Sequence, residues 1–322
     1  MTSSRRSFLL ATATVAGTAA LAGCGALDGE RDSGPEETTP DVRLAALDDG
    51  RVRVERGDET SVVDEPHAAV LRDALEASAS GSGRPTVALR GRFTLEETVG
   101  LPAGLTFDLT GATLAVEGSY DLLSVREVSD VTVLGGTLDG GDQREGERFR
   151  AVLAVNRAER LTVAGTTVRN GGYYGLNLYE SNDCLLYDVD ASDNVRHGIH
   201  PGTDTADWGT GNRLVACVCT GNGVDGINDR GTTVPDGVVR NEYLRCTCRD
   251  NGENGLTLDG GEASAATVEH VVADQTATDN GRAGIFLKDA RAVVVDPTLS
   301  DNGGEALQVA AGGDLDLERT AD

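Results

Sequence analysis

Between residues 170 and 302 the chain keeps returning to an Asn-led turn followed by a short apolar run: RNGGYYGLNL, DNVRHGIHPG, GNGVDGINDR, DNGENGLTLD, DNGRAGIFLK and DNGGEALQVA. The leading asparagines, Asn170, Asn194, Asn222, Asn251, Asn280 and Asn302, stand 24, 28, 29, 29 and 22 residues apart. Alternating runs such as CLLYDVDAS, RLVACVC and AVVVDPTLS lie between them. Short strands joined by Asn/Gly turns at a period in the twenties form a solenoid, because no single repeat can bury its apolar face alone. No segment here is long enough for a helical repeat.

The N-terminal part fits the start of such a solenoid. DEPHAAVLRDALEASAS (64–80) opens with Asp64 as a cap and Pro66 in the first turn, and then places apolar residues at helical spacing. A helix there covers the open end, which otherwise presents unpaired strand edges. PTVALRGRFTL, LTFDLTGATL and VTVLGGTLDG supply the first strands. The expected fold is all-β, with an N-terminal capping helix. Over residues 85–312 the pattern resembles the right-handed parallel β-helix of the pectate-lyase-like superfamily, a likeness of fold and not of chemistry. The domain is expected over 41–312, followed by an acidic C-terminal tail, 313–322.

Residues 1–24 read as a signal. Arg5 and Arg6 precede a short apolar run that ends in LAGC at Cys24. The run is too short to span a membrane. The paired arginines resemble a twin-arginine export signal, and LAGC resembles a lipobox that would place a lipid on Cys24. The implied location is the extracellular face of the membrane, with 25–40 as an acidic linker. With 53 acidic against 28 basic residues the net charge is −25, and Lys288 is the only lysine. That charge repels nucleic acid, and the composition resembles proteins of extreme halophiles.

Five further cysteines, Cys184, Cys217, Cys219, Cys246 and Cys248, include CVC and CTC pairs one repeat apart. Zinc motifs space paired cysteines by two or more residues. A buried ladder is therefore the first expectation, and disulfides outside the cell the second.

Parallel coils stack about 4.8 Å apart, so equivalent residues form columns. Aligning the strands on Val125, Val155, Leu178, Pro201, Asp229, Leu258, Leu287 and Val309 puts Asn177, His200, Asn228 and Thr257 in one outward column. Tyr179, Gly202, Arg230, Asp259 and Lys288 form a second, and Tyr174, His197, Asp225 and Asn254 a third. Asp229 is the misfit among apolar residues and suggests a bulge. An inert acidic surface would favour Thr, Asp, Glu and Ser, so Tyr, His and Arg gathered on a few coils mark a candidate site. His200, His197, Tyr174 and Asp225 are the candidate catalytic residues. Arg196, Arg230, Asn177, Asn228, Tyr179, Trp208 and Asp259 are the candidate substrate-binding residues. Three longer connections, after His200, Asp229 and Asp259, are expected to rim the face, and the first carries Trp208 as a sugar-stacking ring.

YGLNLYE (174–180) and RHG (196–198) resemble motifs of the mannuronan C5-epimerases and related β-helix lyases, which carry Y-G-F-D-P-H-E and R-H-G. Tyr174 matches that family's catalytic Tyr, and Arg196 with His197 match its Arg-His pair. Asn177 and Tyr179 stand where the family has Asp and His, and RHG follows YG by one coil instead of two. The resemblance implies a polysaccharide partner and a lyase or C5-epimerase acting on uronates. In this reading a histidine takes the proton, Tyr174 donates to the leaving oxygen, and an arginine offsets the uronate charge. Two alternatives stay open. One is a glycoside hydrolase using Asp225 with Asp259 or Asp204, and the other is a non-catalytic glycan-binding or cell-envelope protein. No metal site is assigned, and whether Ca²⁺ bridges the substrate is left open.

Overall fold

The computed structural model describes residues 40–79, 83–141, 150–203, 209–231, 238–261 and 267–319. Cys24, the paired arginines, Asp204 and Trp208 lie outside these residues, as does part of each of the three longer connections.

Each coil contributes strands to stacked parallel ladders. One ladder is a 9-stranded sheet running from Val99–Gly100 to Leu307–Val309. It includes Tyr174–Tyr179, His197–Thr203, Ile227–Gly231, Leu256–Asp259 and Ile285–Lys288. All its pairings are parallel. Inward positions such as Leu176, Ile199, Ile227, Leu256 and Ile285 are buried and fill the interior. Period-two alternation thus puts one side chain in the core and the next on the outer face.

The DN pairs of the repeat divide the labour of the turn. Asp193, Asp250, Asp279 and Asp301 take left-handed backbone with φ between 54° and 57°, a conformation that short polar side chains tolerate. The asparagine that follows points inward and builds a ladder. Asn194 donates through Nδ2 to Asn222 Oδ1, Asn222 to Asn251, and Asn251 to Asn280, each at 2.9 Å. These amides satisfy buried backbone groups where the strands break, as in the bond from Asn222 Nδ2 to Ala191 O at 3.0 Å. Asn170 is out of phase with the others. It occupies the left-handed corner itself (φ 58°), so that Gly171 N, 23 residues before Asn194, meets Asn194 Oδ1.

The helix His67–Ala79 buries Ala68, Val70, Leu71, Ala74 and Leu75 in the same apolar core as Leu44 and Leu89 of the first strands. Ahead of it, Val42–Ala46, Val52–Arg56 and Glu59–Val63 form an antiparallel meander that joins the first coil. At the other end the expected tail is corrected: Asp314–Glu318 is a strand, paired in parallel with Arg291–Val295. Its DLDLE sequence alternates, so its acidic composition reflects an exposed edge and not a loose segment.

All five described cysteines are buried and free. Cys219 stands beside Cys248 on the next coil, and the same register puts Cys217 beside Cys246. The Sγ atoms of Cys184, Cys217 and Cys246 donate to backbone carbonyls, Cys246 to Leu214 O at 3.4 Å among them, while Cys248 Sγ accepts from Gln275 Nε2 at 3.3 Å.

Candidate functional site

The outer face of the 9-stranded sheet carries the candidate residues. Tyr174 stands beside His197 and Asn177 beside His200. Gly202 stands beside Arg230, Asn228 beside Thr257, and Arg230 beside Asp259. The three outward columns are therefore those that the repeat predicts. Asp229 pairs with Leu258 without interruption, so the bulge expected there is absent.

Neighbouring coils bring three rings together. Tyr174 and His200 stack with centroids 4.5 Å apart and planes 8° from parallel. His197 lies 5.7 Å from Tyr174 and from His200, inclined at 19° to each. Glycine makes the approach feasible at two positions. A Cβ on Gly198 would lie 2.7 Å from Gly226 O and 2.8 Å from Asn222 Nδ2, so only glycine lets the strand sit this close to the asparagine ladder. A Cβ on Gly202 would lie 3.0 Å from His200 Nε2, so glycine there keeps that nitrogen clear.

Burial sets the protonation states. Tyr174 is 5% exposed, and desolvation raises its hydroxyl well above the ordinary tyrosine value, so it stays protonated. Desolvation lowers His197 to about 2, with further lowering from His200, Arg196 and Arg230. Half-buried His200 is lowered to about 4, again mainly by desolvation, although its contact with the Asn228 carbonyl opposes the shift. Both imidazoles are neutral at pH 7. His200 Nδ1 is 2.8 Å from Asn228 O, while the Asp225 N–H donates to His197 Nδ1 at 3.3 Å.

Asp225 is 3% exposed, and burial raises its pKa. Oδ1 accepts from the Asn254 N–H at 2.9 Å, and Oδ2 from Asn228 Nδ2 at 2.6 Å. Both oxygens are thus engaged within the protein. Arg196 leans on Tyr173, with its guanidinium carbon 4.7 Å from the ring centroid, and donates to the Tyr173 hydroxyl. Arg230 is exposed on the same face. Asn177 Oδ1 is buried and has no hydrogen-bond partner. Tyr179 is half-buried, and Asp259 pairs with Lys288 Nζ at 3.4 Å. Among the described residues no three His, Cys, Asp or Glu side chains gather as a metal would require.

Two features escape a reading of the sequence alone. Tyr173 holds Arg196, and its only signal is the doubled Tyr ahead of Gly175. Inside the solenoid, buried Asp229 accepts from Asn241 Nδ2 at 2.9 Å and from the Tyr243 hydroxyl. His270 Nδ1 lies 3.7 Å from the same oxygen. These groups come from separate strands, so no local motif announces them.

An outward face of Tyr, His, Asn and Arg on a parallel solenoid defines the class as a β-helix protein with a polar outer face. The chain belongs to the right-handed β-helix family, whose "Right handed beta helix region" model matches residues 151–321. Among solved structures, the A-module of the mannuronan C-5 epimerase AlgE6 from Azotobacter vinelandii superposes with a TM-score of 0.63 at 20% identity, covering 77% of this chain and 72% of that one. The A-module of AlgE4 from the same organism gives 0.48 at 14% identity, over 79% and 95%. At these identities the likeness is one of fold. No curated protein matches the sequence significantly.

Proposed function

We propose that this β-helix acts on a uronate-containing polysaccharide, removing the proton alpha to the carboxylate in a lyase or C5-epimerase reaction. The observation that carries this reading is the stack of Tyr174, His197 and His200 on one outer face, with Arg230 on the neighbouring strand. Abstracting a proton beside a carboxylate requires that its charge be offset, and exposed Arg230 suits a bidentate contact. His200, neutral and with Nε2 kept clear by Gly202, is the base. Tyr174, held protonated, is the acid that serves the leaving oxygen. The superposed AlgE6 module belongs to a mannuronan C-5 epimerase, which agrees with this substrate class.

Geometry disfavours hydrolysis by Asp225 with Asp259. Asp259 pairs with Arg230, and at about 3.3 Å per residue the offset along the strand from Asp225 to Arg230 is roughly 16 Å. Glycosidase carboxyl pairs lie about 5–9.5 Å apart. Both oxygens of Asp225 are moreover held by internal donors.

The test is incubation of the domain with polyuronates and with neutral glycans. Elimination gives an unsaturated product that absorbs in the near-ultraviolet, and epimerisation changes the polymer's NMR spectrum. Reducing ends without that chromophore would favour hydrolysis, and binding without conversion would favour a glycan-binding or envelope role. Export and anchoring through Cys24 belong to the same proposal, supported by the LAGC sequence. A Cys24→Ser chain that is exported and still partitions with membranes would contradict the anchor.

A further inference from the structure

We propose that Asn228 is a positioning residue that holds His200 and His197 in opposite tautomers, giving the site one bare and one protonated Nε2. The inference deepens the reading above, on which its catalytic meaning rests, but the hydrogen bonds stand without it. The Asn228 carbonyl can only accept, so at 2.8 Å it requires the proton of His200 on Nδ1 and leaves Nε2 bare. The backbone N–H of Asp225 can only donate, so at 3.3 Å it requires Nδ1 of His197 to be bare and puts that ring's proton on Nε2.

The second bond has a competitor. Asp225 Oδ2 is 3.5 Å from His197 Nδ1, close enough that a small rotation would turn the pair into a carboxylate–imidazole dyad with the proton on Nδ1. The Asn228 side chain prevents this by donating to that same oxygen at 2.6 Å, while the Asn254 N–H holds Oδ1. Asn228 therefore acts twice, through its carbonyl on His200 and through its amide on Asp225. It is 9% exposed, and its amide is directed at Asp225 instead of at a sugar. The strand itself is anchored from inside by Asp229, held by Asn241 and Tyr243.

The titratable and charged groups facing His197 are His200 and Arg196 on its own coil, Tyr174 on the coil before, and Asp225 and Arg230 on the coil after. Of these only Asp225 bears a carboxyl group, and it is the one that Asn228 restrains. The experiment is imidazole ¹⁵N NMR on the full chain labelled at its four histidines. Near neutral pH the wild-type chain is expected to show His200 with Nδ1–H and His197 with Nε2–H. In Asn228→Ala the backbone carbonyl stays, so His200 should keep its tautomer. His197 should move its proton to Nδ1, and its titration should rise by about one to three pH units as the freed carboxylate approaches. Adding Asp225→Asn to Asn228→Ala should restore Nε2–H. A wild-type chain with both rings in one tautomer overturns the proposal, even if the variant does not fold. So does a folded Asn228→Ala chain in which His197 is unchanged. If opposite tautomers appear in a chain that converts no uronate, the proposal holds and only the catalytic reading falls.

Discussion

Tyr174 and His200, on consecutive coils, stack with centroids 4.5 Å apart and planes 8° from parallel. The register that pairs Asn177 with His200 makes the contact, since it places Tyr174 three residues before Asn177 on the coil preceding His200. Stacking belongs to the ring, while proton donation belongs to the hydroxyl. Tyr174→Phe should therefore leave the melting temperature and the ring contact unchanged and lower turnover by about 10²-fold or more. Steady-state kinetics beside a thermal melt separates the two. Unchanged turnover would remove Tyr174 as the acid.

The two low histidine pKa values have consequences of definite sign. A histidine that is neutral when folded and titrates near 6.5 when unfolded binds more protons in the unfolded state between those values. Stability is thus fully present above about pH 6.5 and declines as pH falls toward about 4, where His200 titrates, and on toward about 2 for His197. Turnover should stay level from pH 8 to about 5 and fall near 4 as His200 becomes protonated. A pH–rate profile with its acid limb near 6.5 would show that His200 is not the buried, neutral base described above.

Asn222 accepts from both the backbone N–H and the side chain of Asn194, and donates to Ala191 O and Asn251 Oδ1. Asn222→Ala leaves several buried groups unpaired, at about 1–3 kcal/mol each. A clear drop in melting temperature is expected, with a larger effect than for an exposed corner such as Asp250→Asn. Denaturant unfolding of the two variants makes the comparison.

With a net charge of −25, self-repulsion grows as screening is removed. The melting temperature should fall steeply as salt is diluted from molar to millimolar. A flat profile would remove the inference of salt adaptation and leave the fold untouched.

The columns were legible in the sequence because strand alternation and a near-constant coil length fix which residues are neighbours. Asn177, His200 and Asn228 needed only the repeat and the parity rule. Where the phase slips by one residue, as at Asn170, the repeat misleads, since Asn170 takes the left-handed corner and the ladder position falls on Gly171. Asp229 looked like a bulge because its partners, Asn241, Tyr243 and His270, come from other strands and only the folded interior brings them together. Asp314–Glu318 looked like a tail because every other position of this exposed edge strand is acidic. Tautomers are further still from the sequence, because they depend on which backbone group faces each ring.

The central claim is that His200 handles the proton while Arg230 recognises the uronate charge. It is tested most directly by comparing His200→Ala and Arg230→Ala with the parent chain on one uronate polymer and one neutral glycan. His200→Ala should lower turnover by about 10² to 10⁴ while polymer binding holds, and the lost stack on Tyr174 should lower the melting temperature only modestly. Arg230→Ala should weaken binding of the uronate polymer and leave neutral glycans unaffected. If both variants match the parent on every glycan it binds or converts, the stacked face is not the site and the account is wrong.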